Sequence, residues 1–212
     1  MSRHRLVLRM SINHEIIFAG RSNVGKSSLI RRLTGKNVRT GRRPGVTRKP
    51  VHVAFKDLLI TDLPGYGFLH GVSGDVQESI KDSIVHYVEA NCDRILCAVQ
   101  VIDTGAFCEI VDRWSERGEI PVDIELFEFL CDLDIDVIIA ANKIDLVKNR
   151  DSALDQIVER FDLLPPWKQW IDVIAPISAK KGDVSALSGI VRTRLHEIGR
   201  DDLFRHIRTS KR

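Results

Sequence analysis

What this 212-residue chain lacks narrows the field before any motif is read. No apolar run approaches the roughly 18 residues of a membrane-spanning helix. The opening residues MSRHRLVLRMS carry charge but no adequate apolar stretch, so no secretory signal is expected and the chain reads as cytoplasmic. Its four cysteines, Cys92, Cys97, Cys108 and Cys131, form no C-x-x-C pair. They sit mostly in or beside apolar segments and are expected to be reduced and structural rather than metal-binding. No internal repeat or low-complexity segment is present, and nothing resembles a dedicated RNA-binding module of the RRM, KH or OB type. An apolar content of 43% is enough for a packed core, and the length fits one domain, 1–212, with short basic extensions at both ends.

The sharpest absence is local. Between Ile16 and Lys56 there is no Asp or Glu, while eleven Lys or Arg residues fall in that span. The net charge is only +3, so the bias lies in distribution. Most of these cations cluster from Arg31 to Lys49, including Arg39, Arg42, Arg43 and Arg48. An acid-free basic block of this length suits a polyanion, although a solvated helix face followed by a loop would carry the same charges.

What is present starts with GRSNVGKSSL, residues 20–29, directly after the apolar run Ile16–Ala19. It matches G-x-x-x-x-G-K-[ST] in full. A strand ending at Gly20 and a helix starting near Lys26 would aim the amides of a glycine-bearing turn, and the helix's positive end, at one phosphate chain. The expected cradle is Gly20, Arg21, Ser22, Asn23, Val24, Gly25, Lys26, Ser27 and Ser28. Lys26 would reach the outer phosphates, and the Ser27 hydroxyl would hold Mg²⁺.

Three further motifs follow in order, each after a predicted strand. In DLPGYG, Asp62 is the second handle on Mg²⁺, through water, and the Gly65 amide can approach a γ-phosphate closely. Asp62, Leu63, Pro64 and Gly65 are therefore candidate nucleotide contacts. In NKID, Asp145 can accept from the adjacent N1–H and 2-amino group of guanine, which adenine does not offer. Asn142 can bond the base or tie this loop to the phosphate loop, and the Lys143 stem can lie over the base plane. In SAK, Ser178–Lys180, the Ala179 amide can donate to guanine O6. A buried polar site of this kind discriminates strongly, because the wrong base leaves its groups unpaired. The same pair of motifs argues against a small-molecule kinase on this scaffold.

Periodicity places strands at 15–19, 51–55, 58–62, 94–102, 136–141 and 172–177, and helices at 26–34, about 75–90, 123–132, 151–161 and 184–198. Asp183 is placed to cap the last helix. The alternation implies an α/β three-layer sandwich with a mostly parallel six-stranded sheet, strand 51–55 being antiparallel. Segment 104–122 reads as a long connection, and Gly199–Arg212 as a basic, loosely ordered tail.

Together GRSNVGKSSLI, RPGVTR, DLPGYGF, NKID and SAK resemble the translation-factor-related P-loop GTPases, and within them the EngB (YihA-type) family, over about residues 16–198. The resemblance implies a small GTPase-like G domain with GTP and GDP as ligands, slow hydrolysis, and a part in assembling the large ribosomal subunit through rRNA. It also implies that Gly45, Val46 and Thr47 fold over the γ-phosphate, with Thr47 joining Mg²⁺ coordination only in the GTP state. Lys26, Thr47 and Gly65 are then the residues expected to serve the reaction.

Where many switch GTPases carry a glutamine, this chain has Tyr66, so hydrolysis must be slow or assisted. A K⁺ ion on Asn23 is one conceivable helper. Two departures, Asn142 in place of the family's frequent threonine and a long 104–124 segment, fit an archaeal-type branch. The chain is expected to be a monomer; the competing reading is a signalling GTPase with protein effectors and no nucleic-acid contact.

Overall fold

In the first strand, Ile16 and Phe18 enter one core while Ile17 and Ala19 enter another, and all four are buried. That two-sided burial is why the strand reads as an unbroken apolar run. The computed structural model describes residues 12–36, 49–66 and 74–209. Its elements run β1 (His14–Ala19), α1 (Lys26–Thr34), β2 (Val51–Phe55), β3 (Leu58–Asp62), α2 (Gly74–Glu89), β4 (Ile95–Asp103), α3 (Phe107–Ser115), α4 (Val122–Asp132), β5 (Val137–Asn142), α5 (Arg150–Arg160), β6 (Ile174–Pro176) and α6 (Ser185–Glu197).

The sheet order is β2-β3-β1-β4-β5-β6, with β2 antiparallel to β3 and every other pairing parallel. One face is covered by Leu29, Ile30 and Leu33 of α1 and by Leu187, Val191 and Leu195 of α6. The other carries Ile80, Ile84 and Val88 of α2 with Leu126 and Leu130 of α4. Helices α3 and α5 extend that second layer over Ile102, Ile139 and Ala141. This is the expected three-layer sandwich, and it brings the C-terminal ends of the parallel strands to one edge.

Segment 104–122 is not simply a connection. It contains α3, whose Phe107 and Val111 are buried and whose Phe107 ring stacks on Phe161 at 5.0 Å. Only two positions of this nine-residue helix are buried, and Gly105, Gly118 and Pro121 flank it. Its packing partner lies in another part of the chain, so local pattern alone favoured a loop.

The tail also departs from expectation. Residues 201–206 form a 3-10 turn, Leu203 and Ile207 are buried, and the Arg208 amide donates to the Leu33 carbonyl at 2.7 Å. The Arg200 guanidinium clasps Asp57 in the β2–β3 turn at 2.6 and 2.7 Å. Two apolar residues four apart and one bidentate ion pair fasten what composition suggested was loose. Ile198, the last residue of the expected helix 184–198, is 38% exposed, and α6 ends before it. Asp183 accepts from the Ser185 hydroxyl at 2.9 Å, one residue ahead of the Val184 N-cap. Of the cysteines, Cys97 is buried whereas Cys131 is exposed.

Candidate functional site

The loop after β1 turns sharply at Gly25, whose φ of 105° lies in the left-handed region. A Cβ there would come within 2.5 Å of Asn142 Nδ2, so both conformation and space select glycine. Asn142, at the end of β5 and 3% exposed, ties the site together. Its Nδ2 donates to the Val24 carbonyl at 2.7 Å, and its Oδ1 accepts from the Ala179 amide at 3.0 Å. Of the two roles open to Asn142, the structure displays the tie to the phosphate loop. The Ala179 amide, expected to face guanine O6, is bonded to Asn142 in this arrangement.

Lys26 is buried, and its ammonium donates to the carbonyls of Gly20 at 2.6 Å and Arg21 at 3.0 Å. Burial pulls its pKa down to about 8, against the attraction of Asp62 and Asp123. Beside it the Ser27 hydroxyl donates to Asp62 Oδ2 at 2.6 Å. Asp62 Oδ1 is buried with no partner among the described residues. Burial raises this carboxyl's pKa, opposed by the Ser27 bond and the Lys26 charge. A buried carboxylate oxygen lacking a donor, next to a hydroxyl and the phosphate loop, fits a hard, oxygen-seeking cation such as Mg²⁺.

The DLPG turn lies directly on the phosphate loop. Leu63 and Pro64 are buried, and the Leu63 amide donates to the Phe18 carbonyl at 2.9 Å. The Ser22 amide donates to the Tyr66 carbonyl at 3.0 Å, and Ser22 Oγ to the Gly65 carbonyl at 3.3 Å. A Cβ on Gly65 would stand 2.8 Å from Ser22 Oγ, 3.0 Å from Lys26 Nζ and 3.1 Å from Ser22 Cα, so a larger residue would press on the phosphate loop.

At the base-recognition corner, the Ser178 hydroxyl donates to Asp145 Oδ1 at 2.6 Å. That bond, more than the nearby lysines, holds the Asp145 carboxyl below the usual range, so it is anionic at neutral pH. Lys143 takes a left-handed φ of 65° and pairs with Asp103 at 2.6 Å. Lys180 is exposed, Asn23 is exposed with a left-handed φ of 67°, and Ser28 is half-buried. Gly45, Val46 and Thr47 lie outside the described residues, as do Arg39, Arg42, Arg43 and Arg48.

Sequence reasoning missed a buried network behind the loop. Asp123, 1% exposed in α4, accepts from the Tyr66 hydroxyl at 3.0 Å and from Arg21 at 2.9 Å. Gln100 of β4 donates to the Asp123 carbonyl at 2.6 Å. Arg21 was expected among the phosphate contacts; its guanidinium turns instead to Asp123, leaving its main chain to the loop. Burial and the Asp123 charge push the Tyr66 phenol well above its ordinary pKa, so it remains a donor. In sequence, Asp123 is an unremarkable acid in a helix first turn, where the helix dipole favours one anyway.

Four strand ends therefore present, in chain order, a phosphate loop, a cation-competent carboxylate, an NKID loop and an SAK loop at one sheet edge. The molecule is a P-loop GTPase G domain. A family model described as "50S ribosome-binding GTPase" matches residues 15–143. A "Probable GTP-binding protein EngB" of Methanosarcina barkeri is 54% identical over 98% of this chain and 100% of its own length. Its counterpart in Methanosarcina mazei is 57% identical over 92% of this chain and 95% of its own. A crystal structure described as that of "a probable GTP-binding protein engB" superposes with a TM-score of 0.77 at 47% identity, covering 86% of this chain and 99% of that one. The chain belongs to the EngB family of GTP-binding proteins. Among the described residues, no helix is long and apolar enough to cross a membrane.

Proposed function

We propose that this GTPase is a monomeric, cytoplasmic, single-domain switch in large-ribosomal-subunit assembly, engaging rRNA when GTP is bound and leaving after hydrolysis. The observation that carries the ribosomal part is the acid-free basic block that, in sequence, runs from the phosphate loop to Lys56. The family description "50S ribosome-binding GTPase" supports it. RNA affinity built this way rests on phosphate contacts rather than base readout. Comparing co-sedimentation with large subunits under a non-hydrolysable GTP analogue and under GDP tests the reading. The signalling alternative expects no binding in either state.

In this account, Lys26 exchanges the carbonyls of Gly20 and Arg21 for the outer phosphates of GTP. The amides from Asn23 to Ser28 take the rest of the phosphate chain. Ser27, Asp62 through water, and Thr47 would hold Mg²⁺, which when bound neutralises charge on the phosphate oxygens. Gly65 offers its amide toward the γ-phosphate, while its carbonyl accepts from Ser22 Oγ. Gly45 and Val46 would close over the phosphates with Thr47. Asp145 accepts from the guanine edge, Lys143 covers the ring, and the Ala179 amide is shared between Asn142 and O6. Ser178 fixes the Asp145 carboxylate, and Lys180 adds positive charge beside it.

Tyr66 supports slow hydrolysis. Its hydroxyl is committed to Asp123, so it does not present a group to orient water at the γ-phosphate. Asn23, exposed on the crest of the loop, is the candidate K⁺ ligand. Equal turnover in KCl and NaCl at matched ionic strength would remove that ion from the account.

A further inference from the structure

Away from the nucleotide edge, a cavity of about 340 Å³ is lined by Arg31, Arg32, Gly35, Gly182, Arg208 and Thr209 among others. Among the described residues, no carboxylate lines it. Three guanidinium groups share one concavity, although like charges repel and Arg208 comes from the far end of the chain. Several arginines packed against other elements meet carboxylates: Arg160 pairs with Asp112, Arg194 with Asp136 and Arg200 with Asp57, whereas Arg192 donates to the Phe204 and Ile207 carbonyls. Among the described residues, neither Arg31 nor Arg208 has a carboxylate partner. Asp183, next in sequence to the lining residues Gly182 and Val184, accepts from the Ser185 hydroxyl at 2.9 Å.

The cavity is held in shape. Arg32 Nε and Nη2 donate to the carbonyls of Ala179 and Lys180 at 3.1 and 3.3 Å, leaving its Nη1 edge beside Gly182. Arg208 is anchored by its amide on the Leu33 carbonyl and lays its guanidinium against Gly35. The C-terminal carbonyls of α1 favour nearby cations, which accounts for Arg31 and Arg32. They do not explain why the chain terminus is fastened so as to bring a third arginine in.

We infer that this three-arginine cavity binds a phosphodiester group of an RNA backbone. The inference rests on the ribosomal reading above and deepens it. Guanidinium forks suit phosphate oxygens, and a volume at the small end of ligand pockets accommodates one linkage. Arg31 and Arg32 belong to the basic block of the sequence, and Lys36 directly follows the lining residue Gly35. Through Arg32 the cavity also touches the Ala179–Lys180 loop, which places RNA one bond from guanine recognition.

The test uses the full chain with a non-hydrolysable GTP analogue, titrated with large ribosomal subunits at several salt concentrations. Arg31→Ala with Arg208→Ala should weaken binding at least about tenfold and flatten the log–log salt slope by about two units. The exposed Arg31→Ala alone should remove about one unit, which keeps the test sound should the double variant fold poorly. GDP affinity should hold in both, since neither residue lines the nucleotide site. If the parent binds subunits but both variants match it in affinity and slope, the cavity is not an RNA site while the ribosomal reading survives. Parental failure to bind subunits overturns both. Competition by inorganic phosphate, with the slope unchanged in the variants, would make this a free-anion site and overturn the inference.

Discussion

The Tyr66 hydroxyl donates to Asp123 Oδ1 at 3.0 Å, across the boundary between the DLPG turn and helix α4. The other oxygen of that carboxylate accepts from Arg21 of the phosphate loop at 2.9 Å. One buried side chain therefore ties the DLPG turn to the loop after β1.

Removing Asp123 should strand Arg21, which is only 15% exposed, without its counter-charge. Asp123→Ala is expected to cost about 3–5 kcal/mol of stability, the range for breaking one half of a buried pair. Asp123→Asn keeps an acceptor for Tyr66 and should cost less. Urea unfolding reads both; an Asp123→Ala midpoint equal to the parent's would dismiss the network as a structural support.

Lys26 predicts a pH signature. Burial lowers its pKa to about 8, and phosphates bound beside it should restore the charged form. GDP binding at pH 8 should therefore take up about half a proton. Calorimetry in two buffers of different ionisation enthalpy measures it, and zero uptake would contradict the assignment. The sign for stability is opposite in sense. Between pH 8 and 10.5 the unfolded chain binds the extra proton, so this group makes the nucleotide-free fold more stable as pH rises through that window.

Asp145→Asn should weaken GTP about ten- to a hundredfold and favour xanthosine nucleotides, whose 2-carbonyl accepts from an amide. Ser178 would keep a partner at the new side chain, so the fold should hold. Unchanged GTP affinity would remove Asp145 from base recognition.

Ser27→Ala and Thr47→Ala should behave differently. Ser27 is bonded to Asp62 and is expected to serve the cation in both nucleotide states, so GDP and GTP should both weaken. Thr47 is expected to act only with the γ-phosphate. Should Thr47→Ala weaken GDP as much as GTP, it does not belong to the switch.

Much of this site was legible in sequence because each motif is local. GRSNVGKS, DLPG, NKID and SAK each follow a strand, and parallel strands deliver their C-terminal ends to one edge whatever the helices do. The strands β2 and β3 appeared at their expected bounds because each is a local run, alternating in β2 and continuously buried in β3, joined by a two-residue turn. The Asp123 network, helix α3 and the docked tail were not legible. Asp123 meets its partners from Arg21, Tyr66 and Gln100, and α3 is stabilised by Phe161, all remote in sequence. Leu203 and Ile207 look like isolated apolar residues in a basic tail until Leu33 and Asp57 supply their dock.

The most direct measurement of the central claim is co-sedimentation of this protein with purified large ribosomal subunits under a GTP analogue, GDP and no nucleotide. The account predicts salt-sensitive binding that is strongest with the GTP analogue and falls at least about tenfold with GDP, a free-energy difference within the usual range for coupled sites. Binding that is equal in all three states, or absent from all three, would contradict it.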